Sequence, residues 1–339
     1  MLTRSADPPP ERAGWRDATR GGWTCRDCAA RRLLDAGQRQ SAAEPAAAPT
    51  TDRPPAGRVV HVGDQAEGIV ADATTHVVAV ATRNPYELVL LDANSGDVVH
   101  RTPLPGQLRH LQLKAQGGPV LVPDEGAGRL IEVALPGGDV TASVPVGTFP
   151  HDATAAANGT VFVSNEHGHS VAAVRGGKVV QTFTMPEQPG GIETIGNTVA
   201  MVDVRDATLT AYDADKLTQL GSVPAGDGPT HIVADNEGRF VVVDTRGNAL
   251  LAFKDLKPVG SLALPGTPYG AAFDRVRDRM WVTLTGANEV VGVDLAGAQP
   301  KVAARFPTVR QPNTVAVDSG TGRVFVAGAA DGVVEIIDP

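Results

Sequence analysis

The sequence predicts an all-β protein: a seven-bladed β-propeller of four-stranded blades, its ring closed by an N-terminal strand that pairs into the last blade. Three observations carry this. Short runs rich in Val, Ile and Leu alternate with turns containing Gly, Asp and Asn, and no helical period persists for three turns. One strand opening recurs seven times, at Gly68, His110, His151, Gly191, His231, Gly270 and Thr314, spaced by 42, 41, 40, 40, 39 and 44 residues, the period of propeller blades. The seventh unit stops after its third strand, and GRVVHVGD (57–64) reads as the missing fourth.

Taken in order, residues 1–53 are rich in Pro, Ala, Arg and Asp without periodicity and read as a disordered tail ending in a linker, with the propeller spanning 54–339. The tail holds Cys25-Arg-Asp-Cys28. A structural zinc wants four ligands and a redox pair wants a helix packed on a sheet; the sequence offers neither context, so these read as two incidental thiols. From Gly57 onward each unit repeats an opening strand, a second strand (VVAVAT, PVLVPD, TVFVSN, TVAMVD, FVVVDT, MWVTLT, VFVAGA), a third (LVLLDA, RLIEVA, SVAAVR, TLTAYD, ALLAFK, VVGVDL, VVEIID) and a fourth that often ends in Pro or Gly. Asp72, Asp235, Asp274 and Asp318 recur after the first strand, where carboxylates cap turns. A β-sandwich does not account for seven aligned units or for the complementary remnants at the two ends.

The repeat P-x-G-hydrophobic…Asp, then RVFVAG…VVEIID…SGDVV, resembles the YncE-like seven-bladed propellers over roughly residues 57–339. The resemblance implies the fold and no single activity, since relatives include lactonases, streptogramin-type lyases, metal-handling proteins such as zinc chaperones of the AztD type, and scaffolds.

Composition narrows the function. The formal net charge is −8, and no basic stripe exists of the kind nucleic acid requires. No run approaches the ~20 apolar residues of a membrane helix. No secretory h-region is present, so the chain as written reads as a cytoplasmic monomer, with an extracytoplasmic place if this N-terminus is not the natural one. There is no G-x-S-x-G, Walker loop or G-x-G-x-x-G after a strand.

The chemistry concentrates at one end of the repeat. His110, His151 and His231 fall at one aligned position, the start of the innermost strand facing the channel mouth. The loop after the second strand lies on the same face, and Glu125 and Glu166 each stand fifteen residues after a histidine of that set. In SNEHGHSV (164–171), His167 and His169 join them; His-x-His on an extended backbone points both rings one way. His110, His151, His167, His169, Glu125 and Glu166 are therefore the expected ligands of a divalent metal, zinc first, with copper, nickel or iron as alternatives. Affinity is expected to fall as pH drops through the histidine range near ~6.5. Blade five stands nearly opposite, so the sequence leaves open whether His231 reaches the cluster. Arg83, Arg205 and Arg246 are candidates for holding a carboxylate or phosphate, or for pairing with nearby acids. Three functions fit: metal delivery or storage; a metal-assisted lyase or lactonase-type hydrolase on a small-molecule substrate, with His231, Glu166 and His151 as candidate catalytic bases; or an interaction scaffold.

Overall fold

The computed structural model describes residues 41–51, 53–184, 186–296 and 300–339. Seven four-stranded antiparallel sheets form the ring, six of them running outward from the channel in chain order. Blade 1 comprises Ile69–Asp72, Val77–Arg83, Tyr86–Asp92 and Val98–Pro103; blade 2, Gln112–Leu113, Val120–Asp124, Arg129–Val133 and Val140–Pro145; blade 3, Pro150–Ala155, Val161–Asn165, Ser170–Arg175 and Lys178–Phe183. Blades 4, 5 and 6 open at Pro189–Ile195, Pro229–Ala234 and Pro268–Asp274. Blade 7 has Pro312–Val317, Val324–Gly328 and Val333–Ile337, and takes Arg58–His61 as its outer strand.

Second strands such as Val120–Asp124 and Phe240–Asp244 are buried at every residue, because neighbouring blades cover both their faces. A continuous β-branched run suits that position, where alternation does not. Outer strands such as Val98–Pro103 and Lys178–Phe183 are mostly exposed. The core is divided accordingly among the blade interfaces. One cluster, for example, joins Phe162 and Val171 of blade 3 to Ile192 and Met201 of blade 4. Another joins Val89 and Leu91 of blade 1 to Phe325 and Val334 of blade 7.

Closure is as the sequence predicts: Arg58 pairs with Ile336 and His61 with Val333. Glu335, fully buried, accepts hydrogen bonds from Gly57 N (2.7 Å), Val309 N (3.1 Å) and the Thr308 hydroxyl, so one carboxylate ties the closing strand to the entry of blade 7. The recurring aspartates cap turns as expected: Asp72 accepts from Thr75 N (2.7 Å) and Asp318 from Gly320 N (2.8 Å). Among the described residues no helix is long and apolar enough to cross a membrane.

Cys25 and Cys28 lie outside the described residues, with the rest of 1–40. Residues 41–51, read from composition as linker, instead lie across the propeller. Ala46 N donates to Thr285 Oγ1 (3.1 Å) and Ala48 N to Gln311 Oε1 (2.9 Å), while Asn288 Nδ2 donates to Pro49 O (2.8 Å) and Arg246 to Ser41 O (2.6 Å). An extended Ala/Pro strap has no ladder of its own, so polar side chains of blades 5, 6 and 7 take up its peptide groups.

Closure and strap separate in a truncation series. Removing residues 1–53 deletes a few part-exposed hydrogen bonds and is expected to lower the melting temperature by about 5 °C or less. Removing 1–61 also strips the closing strand and orphans Glu335, and is expected to cost more than about 10 °C. Thermal melts of the two truncations check this; equal losses overturn the account of closure.

Candidate metal centre at the channel mouth

The site begins with backbone register. Inner strands of blades 3, 5 and 7 each open on a proline, Pro150, Pro229 and Pro312, and each has a register break just after it. Such bulges re-aim the side chains that follow. In blade 3 Asp152 pairs with Ser164, the residue before the end of the second strand; His231 pairs with Val243, and Thr314 with Ala327, at the same level. His231, Thr314 and Asp152 are thus equivalent, and His151 stands one residue nearer the mouth. Gln112 pairs with Leu121, which by the same count puts His110 level with His231 and Arg109 level with His151. The sequence alignment that put three histidines on one level is corrected by one residue at His151. An extra residue in the blade 2 hairpin, which closes between Lys114 and Pro119 where blade 3 closes between Ala156 and Thr160, hides the offset.

The upper level brings titratable side chains of two blades into direct contact. His151 Nδ1 lies 3.1 Å from Glu125 Oε1 and 3.2 Å from Glu166 Oε2. All three side chains are buried, and their ligand atoms fall within 4.8 Å of one another. Glu125 and Glu166 each follow the last residue of a second strand, on successive blades. Their amides bond the carbonyls of Gln107 (2.8 Å) and Phe149 (2.9 Å), which fixes the two carboxylates on either side of one imidazole. Their other oxygens are held by glutamines: Gln107 Nε2 reaches Glu125 Oε2 (3.2 Å), and Gln188 Nε2 reaches Glu166 Oε1 (2.8 Å). One Nδ1–H cannot point along two bonds, so both carboxylates share it. Burial opposes charge on His151, but the bonds from Glu125 and Glu166 outweigh it and raise the ring to about 10. Burial likewise opposes charge on Glu166, and the His151 bond outweighs it, lowering this carboxyl to about 2. The triad is two carboxylates around one imidazolium, net −1.

The two rings of the lower level are neutral. His110 packs edge-on to His151 (4.5 Å between centroids) and to His231 (4.7 Å); His231 packs edge-on to Tyr269 (4.5 Å). Burial first, then the charge of His151, pushes His110 well below its ordinary value and His231 down to about 3. The point left open by the sequence is decided here: His231 reaches across the channel to His110, because the channel is one imidazole pair wide. Its Nε2 is buried without a hydrogen-bond partner among the described residues. Beyond these rings a cavity of 410 Å³ opens through the other half of the channel, with Asp152, Thr154, Glu193 and Arg275 on its walls. Burial raises Asp152 to about 7, against the backbone bond from Ile192.

The HGH loop departs from the sequence reading. Glu166–Gly168 form a single 3₁₀ turn and His169 is left-handed (φ 51°), so the two rings are not aligned as on a strand. His167 is exposed, its Nε2 3.9 Å from Glu166 Oε2, with its ring against Phe149. His169 is exposed and turns its Nδ1 to the Glu187 carbonyl. Neither shares the point on which Glu125, His151 and Glu166 converge. Arg83 pairs with Glu67 (2.6 Å), Arg205 Nε lies 3.8 Å from Glu187, and Arg246 bonds the Asp227 and Ser41 carbonyls. Sequence reasoning missed Arg109, Tyr269, Gln107 and Gln188. For Tyr269 the signal was the residue following each opening proline, in PHD, PTH, PYG and PNT.

No family model matches the chain. A curated 6-phosphogluconolactonase of Erwinia tasmaniensis is 36% identical over 66 residues, so the match spans 19% of this chain and 19% of that protein. Among solved structures the chain is similar to a streptogramin B lyase (TM-score 0.70, 15% identity, 83% of this chain and 97% of that one). It is also similar to the virginiamycin B lyase of Staphylococcus aureus (0.68, 13%, 82% and 98%) and to the hydrazine synthase of Kuenenia stuttgartiensis (0.66, 14%, 83% and 98%). At these identities the likeness shows the seven-bladed fold.

The triad dictates the sign of a pH effect. The folded pKa of His151 lies above its unfolded value near ~6.5, so its contribution is complete below that pH and disappears as pH rises toward 10. Glu166, depressed to about 2, contributes above its unfolded value near ~4.3 and loses that as pH falls toward 2. In metal-free protein the stability difference between wild type and His151→Ala is expected to shrink by on the order of 3–4 kcal/mol between pH 6 and 10. Urea titrations of both proteins at the two pH values measure it; a difference independent of pH removes the imidazolium.

Proposed function

We propose that the protein binds a divalent cation between Glu125, His151 and Glu166 and uses that centre on a small molecule at the channel mouth, as a lyase or lactonase-type hydrolase. The observation that carries this is the convergence of one imidazole nitrogen and two carboxylates on a buried point where only a shared proton joins them. Three protein donors leave coordination positions open, as catalytic sites require and closed structural sites do not. The glutamines behind the carboxylates supply the supporting shell that fixes ligands in place. A cation held there would polarise an oxygen of a bound molecule.

The chain's own groups take the remaining roles. With Glu125, His151 and Glu166 as ligands, His110 and His231 are the neutral rings left to accept a proton, and the unpartnered Nε2 makes His231 the better acceptor. Tyr269, buried against His231, orients that ring. Similarity over a fifth of the chain to a lactonase, and a propeller shared with two lyases, support this reading over metal delivery or storage. The YncE-like resemblance fits it equally.

Because a cation must displace the proton on His151, binding is expected to release one proton and to strengthen about tenfold per pH unit between pH 7 and 9. That places the pH dependence well above the ~6.5 expected from an ordinary histidine. His151→Ala and Glu166→Gln are expected to weaken zinc binding by at least about a hundredfold, and His231→Asn by less than about threefold. Calorimetric zinc titrations in buffers of differing ionisation heat read both affinity and proton release. Wild-type affinity in His151→Ala, or binding without proton release, overturns the proposal. Turnover of simple lactones lost in His231→Asn with zinc retained would then assign the base.

A further inference from the structure

We propose that Arg109 is an anion-binding group at the channel mouth, that Glu44 of the strap occupies it in this structure, and that its natural occupant is the carboxylate or phosphate of a small molecule that lifts the strap away. Arg109 stands on the same level as His151, one blade over, and its NH1 bonds Glu44 Oε2 at 3.1 Å. A guanidinium offers five donors in a fork shaped for oxyanions. Here Nε is buried with no partner, and among the described residues the acid paired with this side chain belongs to the strap. Arg83 shares the buried, unpartnered Nε, but its acid, Glu67, belongs to its own blade and not to the strap, and Arg246 is bonded to two carbonyls.

The strap is built to be displaced. Its peptide groups are held by single side chains, Thr285, Gln311, Asn288 and Arg246, and by no strand ladder. Its residues are mostly Ala and Pro, so it covers the face while burying little apolar area. Glu44 is half exposed, and an ion pair so placed is weak. An incoming oxyanion can use the Nε donor that Glu44 leaves unused, which a carboxylate on a constrained strap does not reach. Burial opposes charge on Arg109, yet Tyr269, Glu44, Glu67 and Glu125 together hold it firmly protonated, so its charge is constant through physiological pH. The inference does not require the cation.

The test uses the full chain, stripped of metal with chelator, and titrates inorganic phosphate and acetate separately at constant ionic strength. Wild type is expected to bind at least one of them. Glu44→Gln is expected to bind about two- to fivefold more tightly, the strength of the exposed pair that no longer competes. Arg109→Gln is expected to lose more than about tenfold, and Arg109→Lys, which keeps the charge without the fork, to recover part of that loss. Hydrogen exchange of the Ala46 and Ala48 amides is expected to quicken when the anion is added to wild type, since both lose their acceptors as the strap lifts. Preference for phosphate points to a phosphate ester, and preference for acetate to a carboxylate. Binding unchanged in Arg109→Gln, no gain in Glu44→Gln, or strap amides indifferent to the anion each overturn the proposal.

Discussion

Everything at this site follows from how little room the channel axis has. Inner strands of neighbouring blades approach so closely that a Cβ on Gly191 would lie 2.8 Å from Thr230 O and 3.1 Å from His231 Cα; one on Gly270 would lie 2.8 Å from Thr314 Cα. Two side chains at this level follow a glycine on the blade before, as Gly191 precedes His231 and Gly270 precedes Thr314. His110 and His231 enter from nearly opposite sides and fill the axis ring against ring. A dry contact of two imidazoles disfavours charge, so both rings rest neutral.

The level above differs only because of what the second strands end on. On blades 2 and 3 the residue after the strand is glutamate, and each is pinned by the same amide-to-carbonyl bond. Repetition thus delivers two carboxylates to the seam between the blades, where a single imidazole lies. Two buried carboxylates side by side would hold one another protonated; the imidazolium removes that cost. The same arithmetic makes the pair attractive to a dication. A dication bound there would compete with the proton for one nitrogen, and the outcome would be set by pH and metal activity.

The fold was legible because seven copies of one pattern reinforce each other, and because the last copy lacked the strand that the N-terminal side supplied. The carboxylates were legible for the same reason, at a constant fifteen residues from His110 and His151. That rule worked by a coincidence of lengths, since the longer hairpin of blade 2 offsets the register difference between the two histidines. Loop conformation was not legible: the HGH segment passes through a 3₁₀ turn and a left-handed His169, and its two exposed histidines turn to Phe149 and to the Glu187 carbonyl instead of to the triad. Arg109 was invisible because its place is occupied by a different residue in every blade, leaving no repeat to find. The strap was misread because composition reports what a segment cannot do alone, and its partners are side chains some two hundred residues away.

Those partners bear on access to the centre. The strap is held by blades 5, 6 and 7, while its glutamate reaches to blade 2, so it spans the mouth from one wall to the other. A negative side chain near two buried carboxylates raises the local attraction for a cation. By pairing with Arg109, the same side chain also offsets a nearby guanidinium that would repel it. Lifting the strap reverses both effects unless the incoming molecule brings its own oxyanion. An anionic molecule would therefore keep the charge at the mouth constant while exchanging a tethered carboxylate for a free one, whereas a neutral molecule would leave Arg109 unpaired beside the centre. On the proposed reading, this charge balance, more than the shape of the cavity, would favour oxyanions among small molecules brought to the triad.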